Sequence, residues 1–113
     1  MTEERERRIG RNEALFREVN ERIERVSQAL QVEPERLRIL CECGNNSCFE
    51  QIEVSLPEYE RVRANATLFF VRPGHENADV EEIAEEREAY NVVRKKEGPA
   101  AAQARKHDPR DNY

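Results

Sequence analysis

Three cysteines and one histidine carry the chemistry that this chain offers. Cys41, Cys43 and Cys48 are its only thiols and share one short segment, CECGNNSC; His75 follows a Pro73-Gly74 break. A disulfide framework would use an even number of cysteines spread out to staple distant parts. Thiols crowded into one segment fit a metal or redox centre instead. Structural Zn2+ takes four soft or borderline ligands at tetrahedral corners, and Cys3His is a standard set. Residues i and i+2 of a strand share a face, so Cys41 and Cys43 can reach one ion. A turn over Gly44-Asn45-Asn46-Ser47 brings Cys48 beside them. His75 closes the fourth corner if its strand pairs with that hairpin. The expected metal ligands are thus Cys41, Cys43, Cys48 and His75, and the expected cofactor is Zn2+. Such a site carries one net negative charge, to be offset by turn amides or Arg72.

Other chemistries compete for the same residues. Three thiolates with an open fourth position would make a catalytic zinc, with Glu42 or Glu50 as general base. Three thiolates, however, donate so much charge that bound water is poorly acidified. The paired His-x-Glu and Pro-Cys-x-x-Cys of zinc deaminases are missing, as are a P-loop, GxSxG and GxGxxG. No catalytic residue is expected, and the chain is not expected to be an enzyme. In a redox reading two thiols pair on oxidation and expel the metal. The bland alternative is inert buried thiols with His75 a surface loop residue. His107 is expected to be solvated.

These residues need elements to position them. Residues 2–31 contain no Pro and read as a long amphipathic helix. Ile9, Asn12, Phe16, Val19, Ile23, Val26 and Leu30 recur at alternating spacings of three and four, a narrow stripe that needs a partner. That partner is either the rest of the domain or the same helix in a second chain. Pro34 should end the helix and extend Glu33. Leu37, Ile39, Cys41 and Cys43 alternate as a strand; Cys48, Ile52, Val54 and Leu56 return as its hairpin mate. Ser55 and Glu58 frame a helix start, with Leu56, Tyr59 and Val62 on its buried face and an end near Ala64. The apolar run Leu68-Phe69-Phe70-Val71 is expected to be the central strand. Asp79 to Ala89 is expected to be a helix with Val80, Ile83 and Ala84 facing inward, and Tyr90-Asn91-Val92-Val93 a last strand. The fold class is therefore α+β: a long N-terminal amphipathic helix, then a small zinc-bound β-sheet (hairpin plus two strands) with two short helices. Residues 1–33 form the helical arm, 34–97 the zinc-binding module and 98–113 a disordered tail.

Composition bounds the partners. The 113 residues carry a net charge of −5, with 38% charged and 37% hydrophobic residues, so the core is small and a metal would help to hold it. No stretch suits a membrane span, the start MTEERERRIG lacks the apolar run of a secretory signal, and cytoplasm is the expected location. The acidic balance disfavours a generic grip on nucleic acid. Only Arg94-Lys95-Lys96 with Arg105, Lys106 and Arg110 could supply one.

NEALFREVNERIE, the CEC…C segment, LPEYERVR and FFVRPGH together resemble a family of small uncharacterised actinobacterial proteins. Its pattern is an NE-x-LFREVNERI helix, a C-E-C-x4-C motif, an EYE-x-VR helix and a PGH motif. The likeness spans about Asn12 to Lys96, with Cys41, Cys43, Cys48 and His75 at motif positions. It implies that the helical arm belongs to the module, and it implies no activity. The function expected from the residues is a non-enzymatic zinc-binding interaction or regulatory protein. Its contact would be a protein partner, or a homodimer, through Phe16, Val19, Ile23 and Val26. A redox-responsive thiol/zinc regulator and a nucleic-acid-associated factor are the alternatives.

Overall fold

The computed structural model describes residues 2–29, 36–45 and 47–110. The expected helix stop at Pro34, the extended Glu33, Leu30 of the stripe and Asn46 of the turn lie outside the described residues. In chain order the elements are α1 (Glu3–Ala29), β1 (Arg36–Leu40), β2 (Gln51–Ser55), α2 (Leu56–Arg63), β3 (Leu68–Val71), β4 (Glu81–Glu86), β5 (Asn91–Lys95) and α3 (Pro99–Lys106). The class is α+β, as the periodicities imply.

β1 and β2 form the expected antiparallel hairpin, Leu37 opposite Val54 and Ile39 opposite Ile52. These four side chains are buried, while Arg36, Arg38, Gln51 and Glu53 face solvent, the period of two that one covered face imposes. Ser55 caps α2 by accepting from the Glu58 amide at 3.2 Å, and α2 buries Tyr59 and Val62.

The second sheet has the antiparallel order β3-β5-β4, so β5 is central and β3 an edge, a correction to the sequence reading. An edge strand can be wholly apolar when both faces and its free side are covered. Tyr59 stacks on Phe70 at 5.8 Å between ring centroids, and the Arg17 guanidinium lies 4.8 Å over Phe69. Glu42 closes the free side: its amide donates to Phe70 O at 2.7 Å, and its Oε1 accepts from Phe70 N at 3.0 Å. This one residue joins the hairpin to the second sheet.

Two further expectations are corrected. The segment read as a helix over 79–89 instead forms β4, which pairs with β5 through a bulge between Ile83 and Glu85. Pairing overrides local propensity here, and the acidic side chains suit an outer strand. The segment read as a disordered tail contains α3. Its Ala100, Ala101 and Ala104 are buried, and a Cβ on Gly10 of α1 would lie 3.0 Å from the Ala100 backbone. Small residues gain contact here by close approach rather than bulk. Of the two partners expected for α1, the structure shows the rest of the domain: the helix packs on α3 and β1. Its covered face is Gly10, Glu13, Arg17, Asn20, Glu21 and Glu24, with Ala14 and Phe16 beside them. The apolar stripe is thereby turned aside, with Phe16 buried, Val19 and Ile23 half-buried and Val26 57% exposed.

A charged inner face survives only if each group is paired. Lys95, fully buried, sits between Glu13 and Glu81. Arg17 donates to the Ala66 and Ala104 carbonyls at 2.8 and 2.7 Å. Asn20 donates to Leu40 O, accepts from Leu40 N and donates to Glu42. Glu21 accepts from the Tyr59 hydroxyl and from Arg110.

Candidate metal centre

The hairpin tip and the loop after β3 meet at the cysteines. Beyond β1 the pairing continues, the Cys41 amide donating to Glu50 O at 2.9 Å. Alternation then sends Cys41 and Cys43 to one side and Glu42 to the other. The reversal that returns Cys48 is held by Cys48 N to Asn45 O at 2.9 Å and Ser47 N to Asn45 Oδ1 at 2.9 Å. Gly44 adopts φ +80 there, and a Cβ on it would lie 2.8 Å from Glu13 Cγ, so only glycine fits against α1. On the opposing loop His75 N donates to Arg72 O at 2.9 Å. With Pro73 second and Gly74 third at φ +88, this is the residue pattern of a type II turn.

All four sequence-predicted ligands come together. One ligand atom from each of Cys41, Cys43, Cys48 and His75 falls in a set whose members all lie within 4.8 Å of one another. His75 Nδ1 is 3.5 Å from Cys41 Sγ and 3.6 Å from Cys48 Sγ. With Zn–S about 2.3 Å and Zn–N about 2.0 Å, the N···S edge of a tetrahedron is about 3.5 Å. The donor set and its spacing therefore fit such an ion. The three thiols are unbridged; Cys41 and Cys48 are buried, Cys43 and His75 half-buried. His107 lies away from this cluster, exposed at the end of α3 and bonded to Gln103.

The electrostatics favour one thiolate, and a cation would be needed for three. A hydrogen bond with Cys41 holds the Cys43 thiol down to about 5, with help from the Asn45 amide. The same bond, then burial, pushes Cys41 well up, although the Arg72 amide donates to its sulfur at 3.2 Å. Burial raises Cys48 against a bond from the Glu50 amide. Each sulfur thus faces a backbone N–H, a donor that a thiolate uses best. The offsetting donors proposed for the turn and for Arg72 are main-chain amides, Arg72 contributing its own.

The two glutamates considered as bases have other work. Glu42 points inward and is fully buried. Arg63, 1% exposed, donates to both its oxygens at 2.9 and 2.8 Å, and Asn20 adds a third bond at 2.7 Å. Glu50 Oε2 lies 2.8 Å from His75 Nε2. The sequence reading missed the Glu42–Arg63–Asn20 network, although alternation placed Glu42 opposite the cysteine face. An open polar cleft of about 530 Å3 runs beside the site between Cys43–Asn45 and Gly74–Asp79. No protein-family model matches this chain, and no curated protein or solved structure matches it. Among the described residues, no helix is long and apolar enough to cross a membrane.

Proposed function

We propose that the cluster is a structural zinc centre in a small, non-enzymatic interaction or regulatory protein of the cytoplasm. The observation that carries this is the placement of His75 Nδ1 at the edge length of a Zn tetrahedron from two sulfurs. The amides facing the sulfurs support it, since they complement thiolates. The ion would tie the hairpin tip to the β3 loop and so lock the two sheets together, a cross-link valuable to a small core. Its fourth corner is filled by protein, which leaves no ligand position for water. Glu42 is committed to Arg63, which removes one candidate base.

The partner surface proposed is the outer side of α1. Leu15 and Val26 are 61% and 57% exposed there and three helical turns apart, whereas Phe16 is used at home. A second chain or another protein would cover them. Lys95 is buried between two glutamates and Arg110 is paired with Glu21 and Glu24, which weakens the nucleic-acid alternative, while Arg105 stays at the surface beside Glu97. Metal analysis of the purified chain should find about one zinc per chain; less than half would sink the structural reading. Sedimentation that stays monomeric, and that Leu15→Glu and Val26→Glu leave unchanged, would remove the homodimer.

The redox alternative is favoured by one observation: three sulfurs in one cluster with Cys43 half-exposed. Two thiolates would give two electrons to a peroxide, which leaves as water, and form a disulfide that no longer ligates. Zinc release on peroxide titration, reversed by a thiol reductant, would support it; retained zinc would remove it.

A further inference from the structure

The structure assigns the fourth ligand atom and the group that holds it: we propose that His75 binds the metal through Nδ1 and that Glu50 is the positioning residue for its ring. This inference rests on the metal reading above. An imidazole has two nitrogens, and here they face different ways. Nδ1 looks at the Cys41 and Cys48 sulfurs, at 3.5 and 3.6 Å. Nε2 looks away from them and meets Glu50 Oε2 at 2.8 Å. A carboxylate can only accept, so this contact puts the proton on Nε2 and leaves the Nδ1 lone pair free for an ion. The opposite tautomer would point an N–H at the metal position and a lone pair at a carboxylate.

Glu50 is built into the site by its backbone as well. It stands two residues after Cys48. Its carbonyl accepts from the Cys41 amide at 2.9 Å, and its own amide bonds the Cys48 sulfur. One residue therefore touches the environments of three ligands. Arg72 Nε lies 4.0 Å from Glu50 Oε1, while the Arg72 amide donates to Cys41 Sγ, so a cation sits close to the carboxylate. Outer-shell carboxylates of this kind fix the ring and raise its basicity, and their loss costs about 10–100-fold in metal affinity. The Glu50 side chain is half-exposed, at 52%, which puts the expected loss at the lower end, about tenfold.

The test uses the full chain loaded with zinc, or with 113Cd as a spin-active substitute. Long-range 1H–15N spectra should show Nε2 protonated, and the 113Cd coupling should appear on Nδ1. Chelator competition should show Glu50→Ala binding zinc about tenfold more weakly, with Glu50→Gln, which keeps an acceptor oxygen, recovering most of that loss. Coupling to Nε2, or equal affinity in all three proteins, would overturn this assignment while leaving the zinc reading intact. A wild-type chain that takes up neither zinc nor cadmium would overturn both.

Discussion

Residue 42 divides two clusters of ionisable groups that meet the same difficulty in opposite ways. On one side Cys41, Cys43 and Cys48 gather three acids at a half-open edge. On the other, Glu42, Glu13 and Glu81 are buried with the cations the chain itself supplies, Arg63 and Lys95. Each carboxylate of the buried cluster meets a cation of the chain itself, although Glu13 and Glu81 share Lys95 and burial raises the Glu13 carboxyl well above its ordinary value. On the proposed reading, the thiol cluster is complete only when an ion arrives. The stability of the first is thus written into the sequence, while that of the second depends on the solution. The two are also one structure, because Glu42 lies between Cys41 and Cys43 and closes the edge of β3.

The largest effect should come from breaking the internal pair. Arg63→Ala leaves the Glu42 carboxylate buried without its cation, a loss of about 3–5 kcal/mol. Urea unfolding should show it equally with and without zinc. The double change Glu42→Leu/Arg63→Met should recover only part, because Phe70 N and the Asn20 amide lose their acceptor, at about 1 kcal/mol or more each. A loss in Arg63→Ala that zinc abolishes would erase the distinction between the clusters. Metal removal should come next. With zinc at a thousandfold excess over its Kd, the folded state gains about 4 kcal/mol relative to a chelated sample. Cys41→Ser should remove most of that gain; an unfolding midpoint indifferent to chelator in the wild type would break the comparison from the other side.

The legibility of the two clusters differs for the same reason. A metal site announces itself through rare residue types at short spacing, so CECGNNSC and a histidine after Pro-Gly sufficed to name four residues that the structure brings together. Glu, Arg and Asn are common, and their burial is a tertiary fact. In α1 the apolar stripe pointed to the wrong covered face because Glu13, Arg17, Asn20 and Glu21 read as solvated until partners from β5, α2 and the last residues appear. The hairpin and α2 were readable because alternation and the Ser55 cap act locally. β4 was not, since six residues rich in glutamate become a strand only by pairing with β5. α3 hid because alanines pressed against Gly10 look like an unstructured tail when bulk is taken as the sign of a core.

Gly44 is where the clusters touch, and a substitution there sharpens the comparison. Gly44→Ala sets a side chain at φ +80 against Glu13, which Lys95 holds in place, so the loss should be about 1–3 kcal/mol. Because Gly44 adjoins Cys43, zinc affinity should fall as well. A loss of stability with unchanged affinity would mean that the turn carries strain without moving the ligand.

The smallest effect tests whether the internal clusters are as well matched as they look. Burial, then the neighbouring Glu60 carboxyl, raises Glu24 from 4.5 to about 7, despite Arg110 at 3.2 Å. A carboxyl raised on folding stabilises the fold while protonated. That contribution is whole below pH 4.5 and is lost as pH climbs through about 7. Glu24→Gln is neutral throughout and keeps an acceptor for Arg110. At pH 7.5 it should exceed the wild type by about 1 kcal/mol after allowance for solvent screening, and the gap should close by pH 4. If the variant is instead the less stable at pH 7.5, the Arg110 pair outweighs the burial of Glu24. The cation that the chain supplies would then suffice at Glu24, in contrast to the thiols, for which the proposed reading calls for one from outside.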